Sequence, residues 1–182
     1  MILINSSYFV GELSLPNIQT TNTVSGVKHA LQTVGENNLD VFVNKYVIDY
    51  LVRLFGRELA QKFVYEIAQT SPDQIWIDIK DQLLYEIGSL KMSPLANYVY
   101  FMLMSDATTK TTQAGEVEPK HDFAHNASVR HKLVAAWNDM VKMTADILVW
   151  YRENLDNYKD YRGKSFRRNS NSLTRYINEF GI

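Results

Sequence analysis

Apolar residues, with one threonine among them, recur every three or four positions between residues 128 and 158, and no proline or glycine interrupts them. The positions are Val129, Leu133, Ala136, Trp137, Met140, Val141, Thr144, Ile147, Leu148, Tyr151 and Leu155. This spacing predicts one long α-helix. About thirty residues at 1.5 Å each span roughly 45 Å, which is more than a small domain needs. We therefore expect part of this helix to leave its own core and pack on neighbours.

Two further helices are predicted upstream, from residues 39–55 and 58–68. Apolar residues fall on one wide face of each segment. Asn37 is the candidate N-cap of the first helix, with Asp40 three residues on, and Gly56 suits the left-handed position that ends it. Both helices should contribute one apolar face to a common core.

Two Ser-Pro pairs predict two more helix starts, because serine caps a helix and proline fits its first position. Ser71-Pro72 should open a helix that reaches Gly88, with Gln74 completing a capping box. Ser93-Pro94 should open a helix over residues 95–110. That second helix is apolar nearly all round, which places it at the bundle centre.

Three stretches do not fit the helical pattern. Residues 1–24 form an extended arm that packs either on its own body or on a neighbour. Residues 108–126 form a projecting loop or hairpin, because Gly115 and Pro119 forbid a continuous helix and the threonines favour extended backbone. Loops this long are usually functional or mobile. Residues 159–182 form a tail closed by a short amphipathic helix with Leu173, Tyr176, Ile177 and Phe180.

Length and composition indicate a single all-α domain, a helical bundle of about five helices over residues 25–158. With 182 residues, 46% of them hydrophobic, the chain can bury one sizeable core. It has no cysteine, which removes disulfides, thiolate metal sites and cysteine nucleophiles. The longest apolar run, residues 98–104, is far below the roughly 20 residues of a membrane span. We expect no membrane association.

Charge is unevenly distributed along the chain. Residues 159–175 carry a net charge of +5, whereas residues 1–158 carry −5. A basic tail on an acidic body favours an anionic partner, which is either nucleic acid or an acidic protein surface; a solvated tail is the third interpretation. The tail residues proposed for such contacts are Arg162, Lys164, Phe166, Arg167 and Arg168.

Catalytic and metal-binding patterns are weak in this sequence. His121, Asp122 and His125 resemble a zinc-binding spacing, but they lie before the helix and lack the glutamate of a metalloprotease motif. We interpret them as polar loop residues. No glycine-rich phosphate loop and no Gly-x-Ser-x-Gly elbow occurs. We expect no enzymatic activity, no cofactor and no metal.

A set of aromatic residues could line a groove, although their spacing favours a buried helix face. The set is Tyr46, Tyr50, Phe55, Tyr98, Tyr100 and Phe101.

Three stretches of the chain stand out as longer sequence motifs. The first is residues 50–59 (Tyr-Leu-Val-Arg-Leu-Phe-Gly-Arg-Glu-Leu). The second begins at residues 93–101 (Ser-Pro-Leu-Ala-Asn-Tyr-Val-Tyr-Phe) and ends at residues 115–120 (Gly-Glu-Val-Glu-Pro-Lys). The third is residues 127–141 (Ala-Ser-Val-Arg-His-Lys-Leu-Val-Ala-Ala-Trp-Asn-Asp-Met-Val). These stretches resemble the head–tail connector (adaptor, or ring) proteins of tailed bacteriophages, particularly those of crAss-like phages, and the first is similar to the Leu-Gly-x-x-Leu helix junction of connectors.

The resemblance implies a structural virion protein at the portal–tail neck, assembled in the bacterial host cytoplasm. Its subunits would form a ring, usually of twelve copies, beneath the portal protein and above other connector or tail proteins. Double-stranded DNA would pass through the channel without sequence-specific binding. The loop would reach a neighbouring subunit or ring, and the basic tail would dock on portal or tail protein. The loop residues proposed for these contacts are Thr111, Thr112, Gln113, Glu116, Val117 and Lys120.

Two other functions remain open from the sequence. A small DNA-binding or regulatory protein could use the basic tail, although Arg53 and Arg57 alone make a poor recognition helix. An enzyme with a divergent site is the third possibility.

Overall fold

The computed structural model describes residues 3–15, 30–108, 110–112, 115–117, 127–154, 156–157 and 170–178. Within these residues the chain is an all-α bundle, as the sequence predicts, and it carries two small antiparallel hairpins. The elements in chain order are α1 (Ala30–Phe55), α2 (Arg57–Ile67), α3 (Gln74–Leu83), β1 (Tyr85–Ile87), β2 (Leu90–Met92), α4 (Pro94–Thr108), β3 (Lys110–Thr112), β4 (Gly115–Val117) and α5 (Ala127–Glu153).

The first helix starts earlier than its sequence signals indicate. Because α1 begins at Ala30, Asn37 lies inside the helix, and its prediction as an N-cap is wrong. Extending an existing helix needs no new nucleus, so one weak capping signal does not stop it. The predicted end is confirmed. Gly56 adopts a positive φ of 82° between α1 and α2, and its N–H donates to the Val52 carbonyl at 2.9 Å.

Only one of the two Ser-Pro signals marks a helix start. Pro94 is the first residue of α4, and the Leu95 N–H donates to Ser93 Oγ at 3.1 Å, as predicted. The Ser71-Pro72 prediction is wrong by two residues, because α3 begins at Gln74 after Asp73. The Gln74 side chain donates to Asp78 Oδ1 at 2.8 Å, one turn ahead, instead of closing a capping box.

A hairpin replaces the predicted end of α3. The helix stops at Leu83, and Tyr85–Ile87 pairs with Leu90–Met92 around a two-residue turn. Gly88 has a φ of 64° there, a conformation that glycine adopts without strain. Ile87, which continues the four-residue spacing of Ile79 and Leu83, therefore lies in β1 and not on the helix.

The core forms where α4 packs against both α1 and α5. Its centre is aromatic: the Tyr50 and Tyr98 rings lie 5.5 Å apart, and the Phe101 and Trp137 rings 4.8 Å apart. Tyr46, Tyr50, Phe55, Tyr98 and Tyr100 are all buried. The core interpretation is confirmed for these five residues, whereas Phe101 is only partly buried. The central position of α4 is confirmed.

The described part of the N-terminal arm packs on the body of its own chain. Residues 3–15 contain two short 3₁₀ turns, Ser6–Tyr8 and Gly11–Leu13, and are not extended throughout. Ile4, Phe9 and Leu15 are buried. The turns contact β2, α4 and α5, so this segment closes one side of the bundle.

The long helix is confirmed, but it ends early. With 27 residues, α5 is about 40 Å long and stops at Glu153, five residues before the predicted end. The predicted terminal amphipathic helix is wrong within the described residues. Ser170–Thr174 is a single 3₁₀ turn, and residues 175–178 lie outside any helix. Leu173 is fully buried, whereas Tyr176 is 62% exposed.

Candidate interaction surfaces

The predicted loop contains a β-hairpin between α4 and α5. Lys110 lies opposite Val117, Thr111 opposite Glu116, and Thr112 opposite Gly115. Among the described strands, β3 and β4 pair only with each other. A two-stranded ribbon presents unpaired main-chain groups along both outer edges, which can accept a further strand. The hairpin brings together four of the predicted contact residues: Thr111, Thr112, Glu116 and Val117.

The other predicted contact residues lie outside the described residues. They are Gln113, Lys120, Arg162, Lys164, Phe166, Arg167 and Arg168. The same holds for His121, Asp122 and His125. Within the described ranges, no group of three histidine or acidic side chains is close enough to hold a metal ion.

Large apolar side chains are exposed on several separate elements. Val41 and Ile48 are 67% and 45% exposed on α1, and their seven-residue spacing puts them on one face two turns apart. Ile87 and Leu90 face each other across the tip of the β1–β2 hairpin and are also exposed. Tyr65 on α2, Val149 on α5 and Tyr176 in the C-terminal segment are the other exposed ones among the described residues. Apolar spacing in the sequence does not identify these side chains as exposed, because each of them lies among polar residues on the outer face of its element.

The C-terminal segment, residues 170–178, is held on α5 by side chains that bond its main chain. Trp137 Nε1 donates to the Arg175 carbonyl at 2.8 Å. Asn138 Nδ2 donates to the Ile177 carbonyl at 3.0 Å, and the Ile177 N–H donates to Asn138 Oδ1 at 2.9 Å. We call Trp137, Asn138 and the surface that buries Leu173 the tail site. No local pattern predicts it, since its two halves lie nearly 40 positions apart.

A groove of about 740 Å³ lies between the N-terminal segment, the β1–β2 hairpin and α5. Glu12, Asp139 and Asp146 line it together with Tyr85 and Lys91. Partial burial, and then the nearby Glu12 carboxylate, raise the pKa of Asp139, while Lys142 opposes this. Burial and the two aspartates raise the pKa of Tyr85. Since Lys91 lies 3.7 Å from Glu86 Oε1, its charge is already partly matched.

Polar groups cross the helix interfaces inside the bundle. The Tyr98 hydroxyl donates to Asp49 Oδ2, which also accepts from Arg53 Nε at 2.8 Å. The Tyr46 hydroxyl donates to Asp106 Oδ2 at 2.9 Å and joins α1 to α4. Such bonds fix the register of the helices, because a shifted helix would leave them unmade.

None of the helices among the described residues is both long enough and apolar enough to cross a membrane. No protein-family model matches the chain, and neither the curated proteins nor the solved structures gave a match.

Proposed function

We propose that this chain is a ring-forming head–tail connector of a tailed bacteriophage, located in the virion between portal and tail. The positions of the three connector-like stretches support the proposal. These stretches lie at the α1–α2 junction, on α4 and the β3–β4 hairpin, and on α5. These elements form one continuous bundle in which α4 packs against α1 and α5.

The observation that carries the proposal is the separation of exposed apolar groups. A closed ring needs heterologous contacts, in which two different surfaces of one subunit meet the complementary surfaces of its neighbours. The α1 face with Val41 and Ile48 and the hairpin tip with Ile87 and Leu90 are two such surfaces on different elements. In a ring, the neighbouring subunits would cover these two pairs of apolar side chains.

In this proposal the β3–β4 hairpin reaches a neighbouring subunit or ring. Its outer edges offer main-chain groups, and a two-stranded hairpin gains stability from packing against further structure. The basic residues of the tail would dock on an acidic face of portal or tail protein. Twelve copies would surround a channel through which double-stranded DNA passes without sequence readout.

The deciding experiment is electron microscopy of the protein mixed with its cognate portal. We expect closed rings stacked coaxially on the portal, with the subunit number counted in end-on views. Light scattering measures the oligomeric state of the protein alone in parallel. A monomer in that measurement is compatible with the proposal, because some connectors assemble only when the portal is present. Absence of any complex with the portal would contradict the proposal.

The charge separation also supports a DNA-binding regulator as a second candidate. Neutralising phosphates with lysine and arginine makes affinity fall steeply with salt. Tight duplex binding that weakens at least tenfold between 50 and 200 mM salt, combined with no portal complex, would favour the regulator. Salt-insensitive or undetectable DNA binding would favour the connector.

A further inference from the structure

The tail site recognises the C-terminal segment as a peptide. Asn138 pairs with both main-chain groups of Ile177, much as a neighbouring β-strand would. Trp137 adds a third bond to the Arg175 carbonyl. These three bonds go to the main chain, so they hold an extended chain independently of its side chains at those positions.

A single apolar anchor supplements the main-chain bonds. Leu173 is fully buried, and the 3₁₀ turn that carries it contacts both α1 and α5. Tyr176, between the two main-chain contact points, is 62% exposed. One buried anchor and main-chain pairing beside it are typical of a docked peptide, whose binding depends little on how it is tethered.

The stretch that connects α5 to the C-terminal segment is long enough for the segment to reach a second copy. Twelve residues separate Asn157 from Ser170, and such a stretch spans up to about 40 Å. Returning along its own helix from Glu153 to Trp137 covers sixteen residues, or roughly 24 Å. The stretch is longer than this return path by about 16 Å, and that margin is available for reaching the tail site of an adjacent copy.

We propose that the C-terminal segment is exchanged between copies, so that in an assembled ring each segment occupies the tail site of its neighbour. This inference rests on the ring assembly proposed above and assigns one of its contacts. Exchange keeps every contact of the segment and changes only which chain supplies it, which makes it a low-cost route to association. Within a ring the local concentration of segments reaches the millimolar range, which favours occupancy.

The absence of cysteine from the chain allows a direct crosslinking test. One variant carries Val134→Cys, one helical turn before Asn138 on α5, which leaves the hydrogen bonds of the tail site in place. A second variant carries Ile177→Cys together with an N-terminal tag that shifts its size. The two are mixed, assembled with portal and treated with a short bis-maleimide. We expect a two-chain product of about 42 kDa plus the tag, twice the 21.0 kDa chain. The tag distinguishes this product from pairs of like chains.

The control is a chain that carries both cysteines. Its two cysteines are crosslinked within one copy if the C-terminal segment occupies the tail site of its own chain. Rings that yield only this single-chain product would overturn the exchange and leave the connector proposal standing. A two-chain product without rings would support exchange and contradict the connector. Neither rings nor a two-chain product would overturn both.

A second measurement keeps the wild-type tail site intact. A fluorescent peptide of residues 170–182 is added to the full-length protein, and its anisotropy is followed. We expect saturable binding that Leu173→Asp in the peptide weakens at least tenfold, because a charge would enter the site that buries Leu173. Tyr176→Ser in the peptide, at a side chain that is 62% exposed, should bind like the wild-type peptide. A full-length protein that takes up no peptide counts against exchange.

Discussion

The Tyr50 hydroxyl lies 2.7 Å from the Thr144 hydroxyl and joins α1 to α5 inside the core. Thr144 also donates to the Met140 carbonyl at 2.7 Å. Because the threonine hydroxyl has one proton, Tyr50 is then the donor in the contact between the two side chains. The tyrosine proton depends on a single acceptor, and both side chains are fully buried.

Removing either partner should have unequal effects. Tyr50→Phe loses one hydrogen bond and should lower the free energy of unfolding by about 1 kcal/mol. Thr144→Val leaves a buried tyrosine hydroxyl without a partner and should cost about 2–3 kcal/mol. Urea denaturation measures both, and the double variant should lose less than the sum. Equal, additive losses would show that the contact does not act as a pair.

Stability should fall at alkaline pH. Burial raises the pKa of Tyr50 above its usual range, and Tyr98 adds to this, although the hydrogen bond with Thr144 opposes it. With a folded pKa above the unfolded value near 10, the unfolded state loses its proton first as pH rises. The free energy of unfolding should thus hold below about pH 10 and decline above it, by up to roughly 1.4 kcal/mol per pH unit for this group.

Tyr50→Phe is the matched variant for the pH experiment, because it removes one titrating group and keeps the ring. Urea midpoints at pH 8, 9, 10 and 11 should converge between wild type and variant as pH rises. A constant difference across that range would contradict the raised pKa.

Helical elements were predictable from sequence because apolar spacing and helix terminators act locally. Gly56 illustrates this: one residue between two apolar stripes ends α1 and precedes α2. The β1–β2 hairpin was missed because Ile87 continues a four-residue spacing. The Gly88-Ser89 dipeptide between two short alternating stretches was the available signal for it.

The Gly56 conformation allows a sharp substitution test. Gly56→Ala places a side chain at φ 82° and ψ 162°, a conformation that is essentially restricted to glycine, which costs about 1–3 kcal/mol. Gln61→Ala, at an exposed position of α2, should change the free energy of unfolding by less than about 0.5 kcal/mol. Equal free energies of unfolding for Gly56→Ala and Gln61→Ala in urea denaturation would contradict the requirement for glycine at the α1–α2 junction.

Deleting residues 111–119 should abolish ring assembly on the portal and leave the helical circular dichroism signal unchanged. Nine residues remain between α4 and α5 and span up to roughly 30 Å, which is enough to join two packed helices. Electron microscopy and circular dichroism check the two parts. Rings that still form would show that the hairpin is not needed for assembly.

Replacing Val41 and Ile48 together with serine tests the α1 surface. Both side chains are exposed, so the free energy of unfolding should change by about 0.5 kcal/mol or less per site. Ring formation on the portal should require a protein concentration at least tenfold higher than for the wild type. Gln61→Ser on α2 is the control and should assemble normally. An unaffected double variant would place the subunit interface elsewhere.

The interaction surfaces were less predictable than the fold, since they join distant parts of the chain. Asn138 meets Ile177 only after α5 and the C-terminal segment have docked, and no local pattern marks either residue. The N-terminal segment and the β1–β2 hairpin likewise meet α5 to form the groove. By contrast, the hairpin within residues 108–126 followed from its own threonines and Gly115.

The N-terminal segment is synthesised early, but its packing can be completed only after α5 has been synthesised. Residues 3–15 contact α4 and α5, whose last residue follows about 140 positions later. At roughly 5–20 residues per second, the turn Gly11–Leu13 waits on the order of ten seconds before the end of α5 emerges. During that interval the segment lacks its contacts with α5, and its apolar side chains are less well covered than in the finished fold. These side chains are therefore available to cellular chaperones throughout translation.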